Sequence, residues 1–325
     1  MWAADAPDWL RRIPAVEILR RIWVPQFYLQ DDAVHWRSSQ DTPPAGLFLN
    51  SPHDLDAHSA RTDTISWVGS KAHLTETCDD DRPRIITPVQ TGPAPVADHR
   101  MVTPVHKALA DRDLLPAQHL VDTGYTDAGL LIEAQQRFGV DLTGPVRRDV
   151  RWRAQAGGRF AIAAFQIDWA AERVTCPWGI TSSSWTPALD SRGTPGVKVT
   201  FARRDGQPCP DRVDCAGPSA TRRLMSLRSQ ARHEALTQAR QRQDTTTFAR
   251  LYAQRAGIEA TLSLAVRNFG LRRARYAGLA KVRLQHIATA AALNFTRIVR
   301  WILGEPIAPT RRSHVGRLLA PAAAG

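Results

Sequence analysis

Cysteine is scarce in this sequence, with four residues in 325. Secreted domains that depend on disulfides carry many more cysteines in much shorter chains, so a disulfide framework is excluded here. At this length the chain can form one large or two ordinary domains, each with its own apolar core.

Long apolar runs are also missing. No stretch approaches the roughly 18 consecutive apolar residues that a membrane span needs. A secretory signal at the N-terminus is excluded as well, because Asp5, Asp8, Arg11 and Arg12 interrupt any apolar core there. We therefore expect a cytoplasmic protein with no membrane partner.

Acidic residues are few in the C-terminal third. Between Ala216 and Arg300 the only acids are Glu234, Asp244 and Glu259, while arginine recurs throughout. The whole chain has 43 Lys and Arg against 31 Asp and Glu, a formal net charge of +12. This excess favours a polyanionic partner and predicts a phosphate-binding surface in the C-terminal third. A merely solvated basic surface is the alternative.

One stretch, residues 119–125, has the pattern of a buried strand that ends in a carboxylate. Two apolar residues precede Asp122, and a Gly turn follows before a helix predicted over residues 127–138. Such a carboxylate is costly to bury without a compensating cation, and a metal ion is a common one. A turn aspartate that caps the following helix is the alternative.

A second stretch places three polar side chains at helical spacing. Tyr252, Arg255 and Glu259 fall at i, i+3 and i+7 in a long helix-forming tract, which puts all three on one helical face. That face is polar where a packed helix should be apolar. A simple surface pair between Arg255 and Glu259 is the alternative.

The pattern Tyr-x2-Arg-x3-Glu resembles a signature of DDE-type insertion-sequence transposases, and Asp122 resembles the second aspartate of that family. The resemblance covers most of the chain, residues 9–304. It implies an α/β fold: a ribonuclease-H-like mixed sheet flanked by helices, with a β-rich insertion between the second Asp and the Glu. The implied partners are double-stranded DNA, at the element ends and the target, and a second copy of the chain as a homodimer on DNA.

The resemblance also implies the chemistry, which is cutting and joining of DNA at insertion-sequence ends by two-metal-ion transesterification. Asp122 and Glu259 would hold Mg²⁺ or Mn²⁺, since these ions prefer carboxylate ligands. Arg255 would orient Glu259 or bind a phosphate, and Tyr252 would contact the DNA backbone.

Two residues compete for the role of first carboxylate and metal ligand. Asp54 is the first choice and Asp56 the second, although an Asx-turn pair beside Pro52 would explain both without a metal. In the resembled family the segment that corresponds to residues 2–24 lies inside the protein, so we expect the chain to be N-terminally truncated. The first catalytic aspartate would then lie in a missing segment.

An N-terminal truncation of the chain is also consistent with two other functions. The chain could be a non-catalytic DNA-binding remnant, which is also favoured by Val266 at the position where the family has a Lys, seven residues after the Glu. It could instead be a metal-dependent nuclease that cuts without strand transfer.

The predicted organisation has four parts. Residues 1–45 are a remnant of an N-terminal helical region, and residues 46–139 with 244–304 form the ribonuclease-H-like catalytic domain. Residues 140–243 are the β-rich insertion with a basic helix, and residues 305–325 are a tail.

The insertion contains three cysteines, Cys176, Cys209 and Cys215. Relatives often have a fourth, suited to a structural zinc, at the position of Gly206. With three thiols left and only His233 as a remote fourth ligand, we expect no tightly held Zn²⁺.

Overall fold

The computed structural model describes residues 7–38, 40–62, 64–79, 81–148, 159–191 and 193–305. The chain divides into two compact units. The first unit is Met1–Leu115 with Leu251–Gly325, and the second unit is Pro116–Arg250. The predicted four-part organisation stays a prediction, and from residue 306 its tail lies outside the described residues.

The described residues form nine α-helices and twelve strands. The helices are α1 Pro14–Trp23, α2 Val102–Ala110, α3 Ala128–Phe138, α4 Arg203–Gly206, α5 Arg212–Ala216, α6 Gln230–Gln243, α7 Thr246–Ala253, α8 Ala256–Phe269 and α9 Leu279–Ile302. The strands are β1 Phe27–Gln30, β2 Ala33–Trp36, β3 His58–Arg61, β4 Ser66–Glu76, β5 Ile86–Pro93, β6 Gln118–Leu120, β7 Asp141–Thr143, β8 Gln166–Asp168, β9 Arg173–Thr175, β10 Ser184–Leu189, β11 Pro195–Thr200 and β12 Leu224–Arg228.

The first unit is built on the antiparallel sheet β3-β4-β5. Helices α8 and α9 pack on this sheet, and a small core of buried side chains joins them: Ile86, Ala265, Ala290 and Leu293. Asn294 of α9 fixes the start of β5, because its side chain both accepts from the Ile86 N–H and donates to the Ile86 carbonyl, each at 2.8 Å. The side chain thereby replaces a missing strand neighbour.

The second unit begins with a β6-α3-β7 crossover in which the two strands are parallel. Helix α3 starts where Asp127 Oδ1 accepts from the Leu130 N–H at 3.0 Å, and it ends at Gly139 in the left-handed region. The helix predicted over residues 127–138 is thus confirmed. At the start of β7, both oxygens of Asp141 accept from Arg242 Nη1 at 2.8 Å, which ties the end of α6 to this strand.

A β-rich part follows in the same unit, as the order of strands along the sequence indicated. The sheet β10-β11-β12 and the hairpin β8-β9 are both antiparallel. They share a core of aromatic and aliphatic side chains: Phe165, Val174, Val199, Phe201, Met225 and Leu227. The basic helix predicted in this part is α6, and it also has a structural role, because its Leu236 and Ala239 are buried against α3.

The chain is a mixed α/β protein, as predicted. Its described strands lie in five small sheets, four of them antiparallel, and not in one continuous mixed sheet. The ribonuclease-H-like arrangement therefore stays a prediction. Among the described helices, none combines the length and the apolar composition that crossing a membrane requires.

Candidate active site

Arg255 lies between two helices and contacts both other residues of the Tyr-x2-Arg-x3-Glu pattern. Its guanidinium carbon lies 5.8 Å from the centroid of the Tyr252 ring. Its Nη1 donates to Glu259 Oε1 at 3.3 Å. The Arg255 side chain is 21% exposed and that of Glu259 is 71% exposed. Arg255 therefore orients a carboxylate that remains open to solvent.

The predicted single helix through these residues is wrong. Helix α7 ends at Ala253 and α8 begins at Ala256, and the backbone between them makes tight turns, with the Arg255 N–H donating to the Tyr252 carbonyl at 3.1 Å. The three side chains nevertheless meet. The spacing predicted the contacts of Arg255 with Tyr252 and Glu259 correctly. The single helix that was expected to produce them is interrupted at Arg255.

Arg84 is a cation near this segment that the pattern did not indicate. A Cβ built on Gly257, in the first turn of α8, would lie 1.1 Å from Arg84 Nη1. Arg84 forms no ion pair with any carboxylate of the described residues. In the sequence, the only indication of this contact is Gly257 itself, a glycine at a helical position where alanine is favoured.

A buried polar cluster anchors α8 and α9 to the end of β4. Glu76 Oε2 accepts from Thr261 Oγ1 at 2.6 Å and from Arg297 Nη1 at 3.0 Å. Arg297 also donates to Thr261 Oγ1 and, at 2.7 Å, to the Arg84 carbonyl. The Glu76 side chain is only 5% exposed. This cluster fixes the direction of α8, and with it the direction of Glu259.

The two candidates for the first carboxylate each accept one bond from a backbone N–H. Asp56 Oδ2 accepts from the Leu279 N–H at 2.8 Å, so its carboxylate caps α9. Asp54 Oδ1 accepts from the Asp56 N–H at 3.1 Å, which is the Asx turn given as the alternative. Each of the two carboxylates keeps its second oxygen for a further ligand, and Asp54 stays the first choice.

Asp122 lies in the second unit, two residues past the end of β6. Its side chain is exposed, and Oδ1 accepts from the Thr123 N–H at 2.7 Å. Asp127, and not Asp122, caps α3. Asp122 instead caps the short 3-10 helix Thr123–Tyr125, which is close to the turn-capping role that was its alternative.

The carboxylates of Asp54, Asp122 and Glu259 are hard oxygen donors of the kind that Mg²⁺ and Mn²⁺ prefer, so their chemistry fits such ions. In the part of the chain that the structure describes, no three His, Cys, Asp or Glu side chains are grouped closely enough to hold a metal ion. Asp54 and Glu259 belong to the first unit and Asp122 to the second.

Three cysteines of the second unit share one small cavity, about 40 Å³ in volume, together with Gly206. They are Cys176, Cys209 and Cys215. A Cβ on Gly206 would lie 2.7 Å from the Thr221 carbonyl oxygen, so backbone fills the place of a fourth side chain. His233 is packed on Trp169, with ring centroids 5.7 Å apart.

Comparison with known proteins gives one match. Residues 175–299 match a protein-family model described as a transposase DDE domain, and this segment contains Tyr252, Arg255 and Glu259. No curated protein matches the chain, and no solved structure matches it either. The predicted resemblance to DDE-type transposases is confirmed by this match over residues 175–299.

Proposed function

We propose that this chain is a DNA transposase that cuts and joins DNA at the ends of an insertion sequence. One observation carries the proposal. The segment that matches the transposase DDE domain contains Tyr252, Arg255 and Glu259, and Arg255 contacts the other two side chains. A simple surface ion pair with Glu259 would not include the Tyr252 ring, whose centroid lies 5.8 Å from the guanidinium carbon.

In this proposal Asp54, Asp122 and Glu259 hold the divalent cations. When bound, such cations activate the attacking water or 3′-hydroxyl and stabilise the leaving oxygen. Arg255 keeps the Glu259 carboxylate in one orientation through its bond to Oε1. Because only one Glu259 oxygen accepts from Arg255 and the side chain is largely exposed, the carboxylate remains open to a cation.

The proposed setting is a ribonuclease-H-like domain in the cytoplasm, acting on double-stranded DNA as a homodimer. Two features support it: the antiparallel sheet β3-β4-β5 is followed in the chain by the parallel crossover β6-α3-β7, and Asp122 follows the first strand of that crossover. The carboxyl ends of parallel strands are where α/β proteins commonly place catalytic side chains.

The test is nicking of duplex DNA in the presence of Mg²⁺ or Mn²⁺. We expect Asp122→Asn, Glu259→Gln and Asp54→Asn each to lower the rate by about a hundredfold or more, as does loss of a group that stabilises transition-state charge. Glu133→Gln is the matched control, because Glu133 is a carboxylate on α3 that is paired with Arg137 at 3.2 Å. It should keep the wild-type rate.

Three outcomes would contradict parts of the proposal. Nicking that survives both Asp122→Asn and Glu259→Gln would refute the active-site assignment. Nicking that is lost in these two variants but kept in Asp54→Asn would move the first carboxylate elsewhere. DNA binding by a wild type that never nicks would favour the non-catalytic remnant.

A further inference from the structure

The loop between α8 and α9 carries an unusual concentration of unpaired positive charge. Five exposed basic residues lie in it or in the first turns of α9: Arg272, Arg273, Arg275, Lys281 and Arg283. None of the five forms an ion pair with a carboxylate of the described residues. The sequence has no acidic residue between Glu259 and Glu305, so none near in sequence can neutralise them.

The position of these charges is unfavourable for the fold itself. Lys281 and Arg283 lie in the first turns of α9, where the partial positive charge of a helix N-terminus repels cations. No acidic residue lies in the first turn of α9, and the carboxylate bonded at this helix start is that of Asp56, which accepts from the Leu279 N–H. One carboxylate does not balance five exposed cations, and the excess of positive charge fits a binding surface for an anion.

The loop is nevertheless held in one shape. Gln285 Oε1 accepts from the Arg275 N–H at 2.9 Å, and its Nε2 donates to the Arg273 carbonyl at 2.8 Å. Gly270 and Gly278, both at positive φ, bound the loop, and the Arg273 N–H donates to the Gly270 carbonyl at 2.8 Å. The backbone of the loop is therefore ordered before a ligand binds, which lowers the entropy cost of binding.

The same loop is connected to the candidate first carboxylate. The Leu279 N–H donates to Asp56 Oδ2, and the Asp56 N–H donates to Asp54 Oδ1. Two consecutive hydrogen bonds therefore link the end of the basic loop to the turn that carries Asp54. An anion bound on the loop lies beside that turn.

We propose that the basic loop, residues 271–278 with Lys281 and Arg283, binds the phosphate backbone of duplex DNA and holds it beside Asp54. This inference rests on the proposed function for the choice of DNA as the polyanion. Gln285 acts as the positioning residue of the loop. The exposed Tyr276, with 55% of its surface accessible, lies among the arginines and borders the bound backbone.

The test compares two triple variants that lose the same charge. The loop variant replaces three arginines by glutamine: Arg272→Gln, Arg273→Gln and Arg275→Gln. The control replaces three exposed arginines of the second unit: Arg137→Gln, Arg173→Gln and Arg204→Gln. Affinity for a short linear duplex is measured by fluorescence anisotropy from about 50 to about 200 mM KCl.

Each lost phosphate contact lowers the slope of log affinity against log salt by about 0.9. The loop variant should therefore lose about two to three units of slope, and the control should lose less than about one. Equal slopes for the two variants would overturn the inference, as would a wild type that does not bind duplex DNA at all. Equal thermal unfolding midpoints of the wild type and the two variants exclude misfolding as the cause of a change in slope.

Gln285→Ala tests the positioning role. This variant keeps all the charges of the basic loop, so we expect the wild-type slope of log affinity against log salt. The affinity itself should fall by about tenfold, because the loop must then be ordered on binding. Gln285→Ala with wild-type affinity would overturn that role.

The nicking assay on the same proteins separates the two proposals. A wild type that binds through the loop but never nicks would refute the proposed function alone. A wild type that nicks while the loop variant binds as tightly as the control would refute the loop alone.

Discussion

The guanidinium of Arg84 occupies the space that a side chain at Gly257 would fill, since a Cβ at that glycine would lie 1.1 Å from Nη1. The backbone of Arg84 is fixed by the bond that its carbonyl accepts from Arg297 at 2.7 Å. A positive charge therefore rests against the first turn of α8, the turn that also carries Glu259. Only glycine permits this approach.

Gly257→Ala should displace the Arg84 side chain and leave the fold nearly as stable. The guanidinium is the far end of a flexible side chain, and alanine is favoured over glycine in a helix by about 1 kcal/mol, which offsets the clash. We expect the free energy of unfolding in urea to change by less than about 1 kcal/mol. In an Arg84→Ala background, the same change should be stabilising by about 0.5–1 kcal/mol.

The difference between the two backgrounds measures the coupling of Arg84 to Gly257. Gly46→Ala serves as a control, because nothing lies within 4 Å of a Cβ at that position. An equal effect of Gly257→Ala in both backgrounds would show that the Arg84 guanidinium does not lie against Gly257.

Arg297→Met should be strongly destabilising. It leaves Glu76, whose side chain is 5% exposed, as a buried carboxylate that has lost its cation. Breaking such a pair costs about 3–5 kcal/mol. The matched control lies on the last turn of the same helix. Arg300→Met removes an exposed pair with Glu305, which should cost less than about 1 kcal/mol. Chemical denaturation measures the free energy of unfolding of both variants. Equal losses in the two variants would refute the stabilising role of the buried pair.

Acidification should destabilise the first unit. Burial lowers the pKa of His286, whose Nδ1 lies 2.8 Å from Thr91 Oγ1. The unfolded chain then binds a proton at a higher pH than the folded chain, so this contribution is present above about pH 6.5 and is lost as the pH falls below it.

His286→Gln should flatten the decline of the unfolding free energy between about pH 7 and pH 5. Part of the slope will remain, because burial also lowers the pKa of His73 on β4, with Asp98 opposing this shift and Lys71 reinforcing it. A variant with the same pH dependence as the wild type would refute the assignment to His286.

The purified protein should hold less than one zinc per chain and should keep its unfolding temperature after chelation. Three thiols line the cavity, while backbone occupies the place of a fourth ligand at Gly206. Gly206→Cys should not restore a tight site, because its Cβ would meet the Thr221 carbonyl at 2.7 Å. Elemental analysis of both proteins tests this, and one tightly held zinc in the wild type would contradict it.

Local signals predicted the local elements well. The Asp at the start and the Gly at the end of residues 127–139 define α3, because a cap and a left-handed residue act within one turn of the chain. The contact among Tyr252, Arg255 and Glu259 also followed from their spacing, since they are near in sequence.

Some side chains could not be assigned a partner from the sequence, because their local signals were equivalent. Asp54 and Asp56 are both turn aspartates in the sequence, and only the arrival of α9, more than two hundred residues later, commits Asp56 to a helix cap. Likewise nothing in the sequence pattern of β4 indicates that Lys71 pairs with Asp98, at 2.9 Å. Partners distant in sequence decided both cases.

The sequence by itself determined the resemblance to a transposase DDE domain, the α/β class, the excess of positive charge and the contacts of Tyr252 and Glu259 with Arg255, because each depends on composition or on short spacing. Tertiary structure alone decided the break between α7 and α8 and the position of Arg84 against Gly257. It also decided the two hydrogen bonds by which Gln285 holds the basic loop. These features depend on how helices pack on a sheet, and the sequence pattern of any one element does not encode that packing.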